Sequence, residues 1–352
     1  MRILITGGAG FVGANLALMF AQARGWPVTS FDNLHRRGSE LALARLRAGG
    51  IGFIHGDIRN PEDVDGLPAA DVLIECSAEP SVHSGYDGSA RYLINTNLIG
   101  TFNCLEYARR HGTAVIFLST SRVYSIASLR ALPLRPDRDR LVLAPGARGA
   151  GWSARGIGED FPTTGARSLY GATKLASELL IEEYHAAHGL KTVVNRCGVL
   201  TGPWQMGKVD QGFFVLWAVR HLYGGTLAYS GFGGAGHQVR DVLHIADLYE
   251  LIRRQIDALD RHSGHTYNVG GGAKISVSLA ELTELCAART GTRLALGSEP
   301  ATRPVDIPYY VTDTGRVVQA TGWSPTRSVA AILDEVLEWL VTHRTELEAV
   351  LA

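Results

Sequence analysis

The first 25 residues constrain the chain most. Arg2–Thr6 is a short β-branched run, GGAGFVG (Gly7–Gly13) follows without a spacer, and the apolar-periodic ANLALMFAQARG begins directly after it. Strand, glycine turn and helix are therefore contiguous, with Gly7, Gly10 and Gly13 three apart. Small residues let the backbone approach a diphosphate, and the positive end of the helix attracts it. Gly7, Gly10, Phe11, Val12 and Gly13 thus form a candidate nucleotide cradle. The next apolar run, PVTSFD, ends in Asp32, about 20 residues past the turn, where an acid bonds both hydroxyls of an adenosine ribose. Such an acid repels a 2′-phosphate and favours NAD over NADP, whereas His35, Arg36 and Arg37 are nearby cations able to receive that phosphate. Asn33 joins Asp32 as an expected cofactor contact.

IGFIHGDIRN reads as a third strand ending at Gly56–Ile58, and ADVLIECSAEPS as a fourth running into Ser77–Ser81. Strands alternating with helical stretches predict an α/β fold with a doubly wound parallel sheet, a Rossmann arrangement, whose ligands gather beyond the strand carboxyl ends. Asp57, Ile58, Ser77 and Ala78 are expected on the cofactor, with Asn97 from the next helix, while Glu79 and Ser81 are expected to reach a substrate. That helix, about Ser89–His111, carries Tyr92, Ile94, Leu98, Phe102 and Leu105. Packing on the sheet explains these residues, and so does a dimer contact shared with the helix after Tyr170.

AVIFLSTSRVY (Ala114–Tyr124) is an apolar strand ending in Ser119, Thr120 and Ser121, hydroxyls placed where a substrate meets the cofactor. Ser and Thr also end strands simply by turning the chain. From Ser125 to about Arg167 the sequence is rich in Arg, Gly and Pro without a sustained period, and is expected to be an irregular loop covering the substrate. SLYGATKLAS then puts Tyr170 and Lys174 four apart in the first turn of a helix, on one face. A phenol titrates near about 10 and a neighbouring cation favours phenolate, so the pair can supply a base near neutral pH.

LKTVVNRCGVLTGPWQ reads as a strand leaving the nucleotide-binding sheet, with Gln205 and Gln211 beyond it expected to line the pocket. Arg240 follows a glycine-rich turn, and Arg303 precedes Asp306 by three residues. A guanidinium suits a diphosphate, with a surface salt bridge as the alternative for each. ISVSLAELTELCAARTG and TRSVAAILDEVLEWLVTHRTEL are amphipathic helices expected to scaffold a smaller C-terminal α/β substrate domain. The expected division is 1–195 plus roughly 237–262 for NAD, and 196–236 with 263–352 for substrate.

Composition bounds the partners. Lys+Arg and Asp+Glu each total 34, so the chain has no net field for nucleic acid or an anionic membrane, and local Arg or backbone N–H groups must meet any anion. Cys76, Cys104, Cys197 and Cys286 lack metal-ligand spacing and are expected to be free thiols in a reducing cytoplasm. MRILIT lacks signal-peptide features and no run of about 18 apolar residues exists, so a soluble cytoplasmic protein is expected.

With the glycine turn, Asp32, STSRVY and YGATK together, the chain resembles the extended short-chain dehydrogenase/reductases that modify nucleotide-sugars. The resemblance spans nearly the whole length, including VRDVLHIADL, YNVGGG and TGWSP. It implies NAD as cofactor, with Tyr170, Lys174 and Thr120 (or Ser119) as the catalytic set. In the related 4,6-dehydratases the strand end reads Thr-Asp-Glu; here it is Thr120-Ser121-Arg122. Serine is far too weak an acid to replace a carboxylic acid as proton donor, so water loss is disfavoured. Hydride chemistry remains, either returned to the opposite face of the sugar or as net oxidation or reduction. NRCGVLTGPWQMGKVDQGFF, GHQVRDVLH and SAEPSV look like the corresponding stretches of the CDP-paratose 2-epimerases, also called CDP-tyvelose epimerases. Many other members read RxxNVYGP, and Val199 stands where they have the Asn. This closer resemblance implies epimerisation at C2 of a CDP-hexose, with a CDP-sugar preferred over a UDP-sugar and a homodimer or dimer-based oligomer. A UDP-sugar 4-epimerase, a nucleotide-sugar dehydrogenase and a non-catalytic NAD-binding module are the alternatives.

Overall fold

This computed structural model describes residues 1–86, 88–207 and 212–351; Gln211 lies outside them. The chain forms two compact units, one of Met1–Val123, Ser168–Arg196 and Tyr249–Tyr267, the other of Tyr124–Arg167, Cys197–Leu248 and Asn268–Ala352.

The first unit is built on a seven-stranded sheet in the order His265–Val269, Thr192–Cys197, Ala114–Thr120, Val72–Glu75, Ile3–Thr6, Val28–Asp32, Gly52–His55. Ile3–Thr6 pairs in parallel with both Val28–Asp32 and Val72–Glu75. The chain order reverses between Ile3–Thr6 and Val72–Glu75, the switch point at which a Rossmann sheet opens a ligand crevice. Strands covered on both faces need near-continuous apolar sequence, and every residue of Ile3–Thr6, Val72–Glu75 and Ala114–Thr120 is buried. On one face Leu4, Leu73, Val115, Phe117 and Val194 pack against Leu105, Ala108 and Ile181 of two helices. Each fully buried Leu, Ile or Phe side chain there contributes about 1.5–3 kcal/mol. Helix Phe11–Arg24 follows the glycine turn and packs on Ile3–Thr6 and Val28–Asp32. The helix expected near Ser89–His111 runs as Arg91–Ile94, a wider π turn Asn95–Ile99, and Gly100–His111.

In the second unit Val239–His244 pairs in parallel with Val199–Thr201 and Tyr309–Tyr310, and antiparallel with Ser276–Ser278. Helices Phe213–Tyr223, Leu279–Thr290 and Val329–Thr342 pack on one another beside it. Two expectations change. Residues 124–167 and 237–248 group with this unit, which extends it beyond the expected ranges. The stretch from Ser125 is also not irregular: it holds helix Ile126–Arg130, the hairpin Leu134–Asp137 with Arg140–Leu143, and the short pair Trp152–Ser153 with Gly156–Ile157. Contacts distant in sequence hold it, among them Leu141 N–H to His237 O at 2.8 Å and Ile157 N–H to Val311 O at 2.7 Å. Among the described residues no helix is long and apolar enough to cross a membrane.

Candidate active site

The glycine turn is folded onto its neighbours. Gly8 N–H donates to Phe31 O at 3.1 Å and Gly10 N–H to Gly7 O at 3.0 Å. A Cβ on Gly13 would stand 2.2 Å from Gly7 O, and one on Gly7 (φ +64) would stand 2.8 Å from Ser77 N, so neither position admits a side chain. Gly10 caps helix Phe11–Arg24 without a side-chain bond, leaving first-turn N–H groups, including those of Phe11 and Val12, suited to an anion. The cradle fits the diphosphate of NAD.

Asp32 accepts from Leu34 N–H at 2.7 Å and Ala9 N–H at 3.0 Å, tying the strand end to the glycine turn. Burial pushes its carboxyl up, against the pull of those N–H groups. Asn33 Nδ2 donates to Asp57 Oδ2 at 2.8 Å, and Arg59 pairs with the same oxygen at 2.5 Å. Burial pushes the Asp57 carboxyl up, but Arg59 and Asn33 together outweigh it and hold it down at about 2. Ile58 has its side chain in the core and its carbonyl on Asn103 Nδ2 at 2.8 Å.

Asn97, expected on the cofactor, clamps the loop after Val72–Glu75. Its Oδ1 accepts from Glu79 N–H at 2.8 Å, and its Nδ2 donates to Glu79 O at 3.0 Å and Thr173 Oγ1 at 3.3 Å. The segment with Ser77, Ala78 and Glu79 is therefore fixed to the helix that carries Thr173. Glu79 Oε1 in turn accepts from Ser81 N–H at 3.2 Å and Ser84 Oγ at 3.1 Å.

Helix Leu169–His188 starts where Ser168 Oγ accepts from Gly171 N–H at 3.1 Å. Tyr170 is half-buried in its first turn. Lys174 follows one turn later, buried, with Nζ 3.9 Å from the centroid of the Phe117 ring. Strand Ala114–Thr120 packs against this helix and brings Ser119 and Thr120 to it. The two hydroxyls differ in use. Thr120 Oγ1 accepts from Arg122 N–H at 3.2 Å, whereas Ser119 Oγ donates to the Glu178 carboxylate. Arg196 grips that carboxylate through Nη2 at 2.7 Å and Nε at 3.0 Å. Sequence reasoning missed Glu178 and Arg196; the spacing of four from Lys174 to Glu178 was the available signal, since it continues the Tyr170–Lys174 face.

In the second unit Arg240 donates from Nη2 to Ile307 O at 2.6 Å and from Nη1 to Val239 O at 2.8 Å. The turn Arg303–Asp306 ends beside Ile307 and is closed by Asp306 N–H to Arg303 O at 3.1 Å. Arg130 braces it, donating to Asp306 O at 2.9 Å and Arg303 O at 2.8 Å. Arg240 thus meets the segment bearing Arg303, whose side chain is exposed, and Asp306. Gln205 closes its own turn instead of presenting its amide outward, with Oε1 accepting from Thr201 Oγ1 at 3.0 Å and Nε2 donating to Leu200 O at 2.8 Å.

Residues 3–270 match the model of the NAD dependent epimerase/dehydratase family. A CDP-paratose 2-epimerase of Salmonella typhi is 31% identical over 348 residues, 96% of this chain and 99% of the relative. A dTDP-glucose 4,6-dehydratase of Streptomyces niveus is 30% identical, over 98% and 94%. The crystal structure of a dTDP-glucose 4,6-dehydratase from Streptomyces venezuelae with NAD bound aligns at a TM-score of 0.79 and 26% identity, over 99% and 100%. Glycine cradle, switch-point sheet and matched relatives agree: the chain is an NAD-dependent enzyme and belongs to the NAD dependent epimerase/dehydratase family.

Proposed function

We propose that the protein epimerises a nucleotide-sugar at C2, with a CDP-hexose of the CDP-paratose type as substrate, through a transient keto-sugar. One observation carries this reading: the strand end Thr120-Ser121-Arg122 keeps a hydroxyl beside the Tyr170–Lys174 helix but offers no carboxylic acid to protonate a departing hydroxyl. Serine cannot do that work at neutral pH, which separates this site from a dehydratase's. The relative from Salmonella typhi supports the choice of base and carbon.

Bound NAD supplies the hydride acceptor and donor. Tyr170, as phenolate, takes the proton of the sugar hydroxyl on the reacting carbon and holds it on the phenol oxygen until the ketone is reduced again. Lys174 favours the phenolate and holds the nicotinamide ribose, and Thr120 donates to the reacting oxygen. Turning the keto-sugar exposes its other face to reduction, which inverts the carbon. In this reading the first unit holds NAD through the cradle and Asp32, and Arg240 and Arg303 bind the sugar-nucleotide diphosphate. Ile94, Ile99, Phe102 and Leu179 are 39%, 41%, 42% and 57% exposed on two helices packed side by side, which supports a homodimer formed through them. The buried free thiols Cys104, Cys197 and Cys286 suit the reducing cytoplasm.

Incubation with a panel of CDP- and UDP-sugars, with products identified by NMR, tests the reading. A C2 epimer without free NADH is expected; stoichiometric NADH would mark a dehydrogenase instead.

A further inference from the structure

Beside Lys174 lies a carboxyl that the proposed chemistry does not use. Glu75 ends strand Val72–Glu75 and is fully buried. It registers with Thr6 on one side and Phe117 on the other, so the three side chains stand in a row on one face of the sheet. Phe117 is the ring over which Lys174 holds its Nζ. Thr101, from helix Gly100–His111, places Oγ1 2.6 Å from Glu75 Oε1. Oε2 is equally buried and has no hydrogen-bond partner among the described residues. A half-satisfied buried carboxyl is costly, and an apolar residue would remove that cost.

The titratable groups facing Glu75 are Lys174 from helix Leu169–His188 and Cys104 from helix Gly100–His111; the flanking strands present the Thr6 hydroxyl and the Phe117 ring. Burial pushes the Glu75 carboxyl up and outweighs the pull of Lys174 and Thr101, so it stands above the ordinary carboxylate range. Burial also drives the Cys104 thiol well up, so it stays neutral beside them.

We propose that Glu75 is a positioning residue that acts through Lys174: its carboxylate holds Nζ against the Phe117 ring, offsets part of the ammonium's charge, and so tunes Tyr170 as a base. The proposal rests on Tyr170 being the base of the reaction proposed above. With Glu75 ionised, the Lys174 field at the phenol is weakened; with a neutral group in its place, the ammonium acts undiminished and the phenolate forms at lower pH.

The test titrates Tyr170 directly. The phenolate absorbance of the purified full chain is followed against pH, and the same curve for Tyr170→Phe is subtracted to leave the one phenol. In a Glu75→Gln background, which keeps the size and an acceptor for Thr101, Tyr170 is expected to titrate about one pH unit lower. In a Lys174→Met background, Glu75→Gln is expected to leave the Tyr170 curve where it was. Should Glu75→Gln not fold, Thr101→Val removes only the hydroxyl partner, raises the carboxyl further and is expected to move Tyr170 in the same direction by less. An unmoved Tyr170 curve in the folded variant, or an equal shift without Lys174, overturns the proposal. Neither sugar nor turnover enters this measurement, so a wrong choice of substrate or reacting carbon leaves its outcome unaffected.

Discussion

Replacing Asp241 by asparagine should remove a pH-dependent penalty from the native state. Asp241 lies fully buried in strand Val239–His244, next to Arg240, and its Oδ2 accepts from Gly272 N–H at 3.0 Å. Burial pushes the carboxyl up from 3.8 to about 6, against the pull of Thr312 and Gly272. The native state therefore holds this proton more tightly than the unfolded chain. Below the unfolded value both states are protonated and the charge costs nothing. As pH rises from 3.8 through about 6 the unfolded state ionises first, and stability falls until the native carboxyl has ionised too. A shift of about 2 units at about 1.4 kcal/mol per unit makes this loss about 3 kcal/mol, constant at higher pH. Asp241→Asn keeps the size and the acceptor for Gly272 but cannot ionise. Relative to wild type it should gain about 2–2.5 kcal/mol between about pH 4 and about pH 7, the remainder of the loss falling below about pH 4. Any repacking cost is common to both pH values and cancels in that difference. Urea unfolding followed by tryptophan fluorescence suits the measurement, because Trp152, Trp204, Trp217, Trp323 and Trp339 all lie in the unit that contains Asp241. A difference between variant and wild type that is the same at both pH values would mean that burial does not raise the Asp241 carboxyl.

Other outcomes follow from the same structure. Arg196→Met strands the buried Glu178 carboxylate and should cost about 3–5 kcal/mol in urea unfolding, with most of it recovered when Glu178→Leu is added. Gly13→Ala sets a methyl against Gly7 O and should weaken NAD binding by about tenfold or more in calorimetry, since the cradle must open. Tyr170→Phe should cut turnover by about 10²–10⁴-fold while NAD stays bound; full activity would remove Tyr170 from the chemistry. Phe102→Asp combined with Leu179→Asp should yield monomers in sedimentation velocity, and an unchanged sedimentation coefficient would place any dimer contact elsewhere.

What was legible in the sequence was local. The glycine spacing, the apolar strands and the Tyr170–Lys174 interval each lie within a dozen residues, and each encodes a backbone geometry directly. The pieces from Ser125 to Arg167 escaped because their strands are two to four residues long, too short to display a period. Their partners, such as Asp139 O with Ser278 Oγ at 2.6 Å, lie far along the chain. Val239–His244 would read as a buried strand in either sheet; pairing with Val199–Thr201 and Ser276–Ser278 decides the matter. Buried polar residues were the hardest to assign. Asn97, Glu75 and Glu178 sit in helix or strand patterns indistinguishable from packing positions, and only the fold reveals that Asn97 clamps a loop, that Glu75 lies near Lys174 and that Glu178 receives Ser119 and Arg196.

The proposed reaction turns on one carbon, and a substrate deuterated at C2 tests it. With CDP-paratose or its C2 epimer so labelled, inversion at C2 with the deuterium retained there, together with a primary isotope effect on turnover, is the predicted result. Inversion at C4, with the C2 label untouched and no isotope effect, would contradict it.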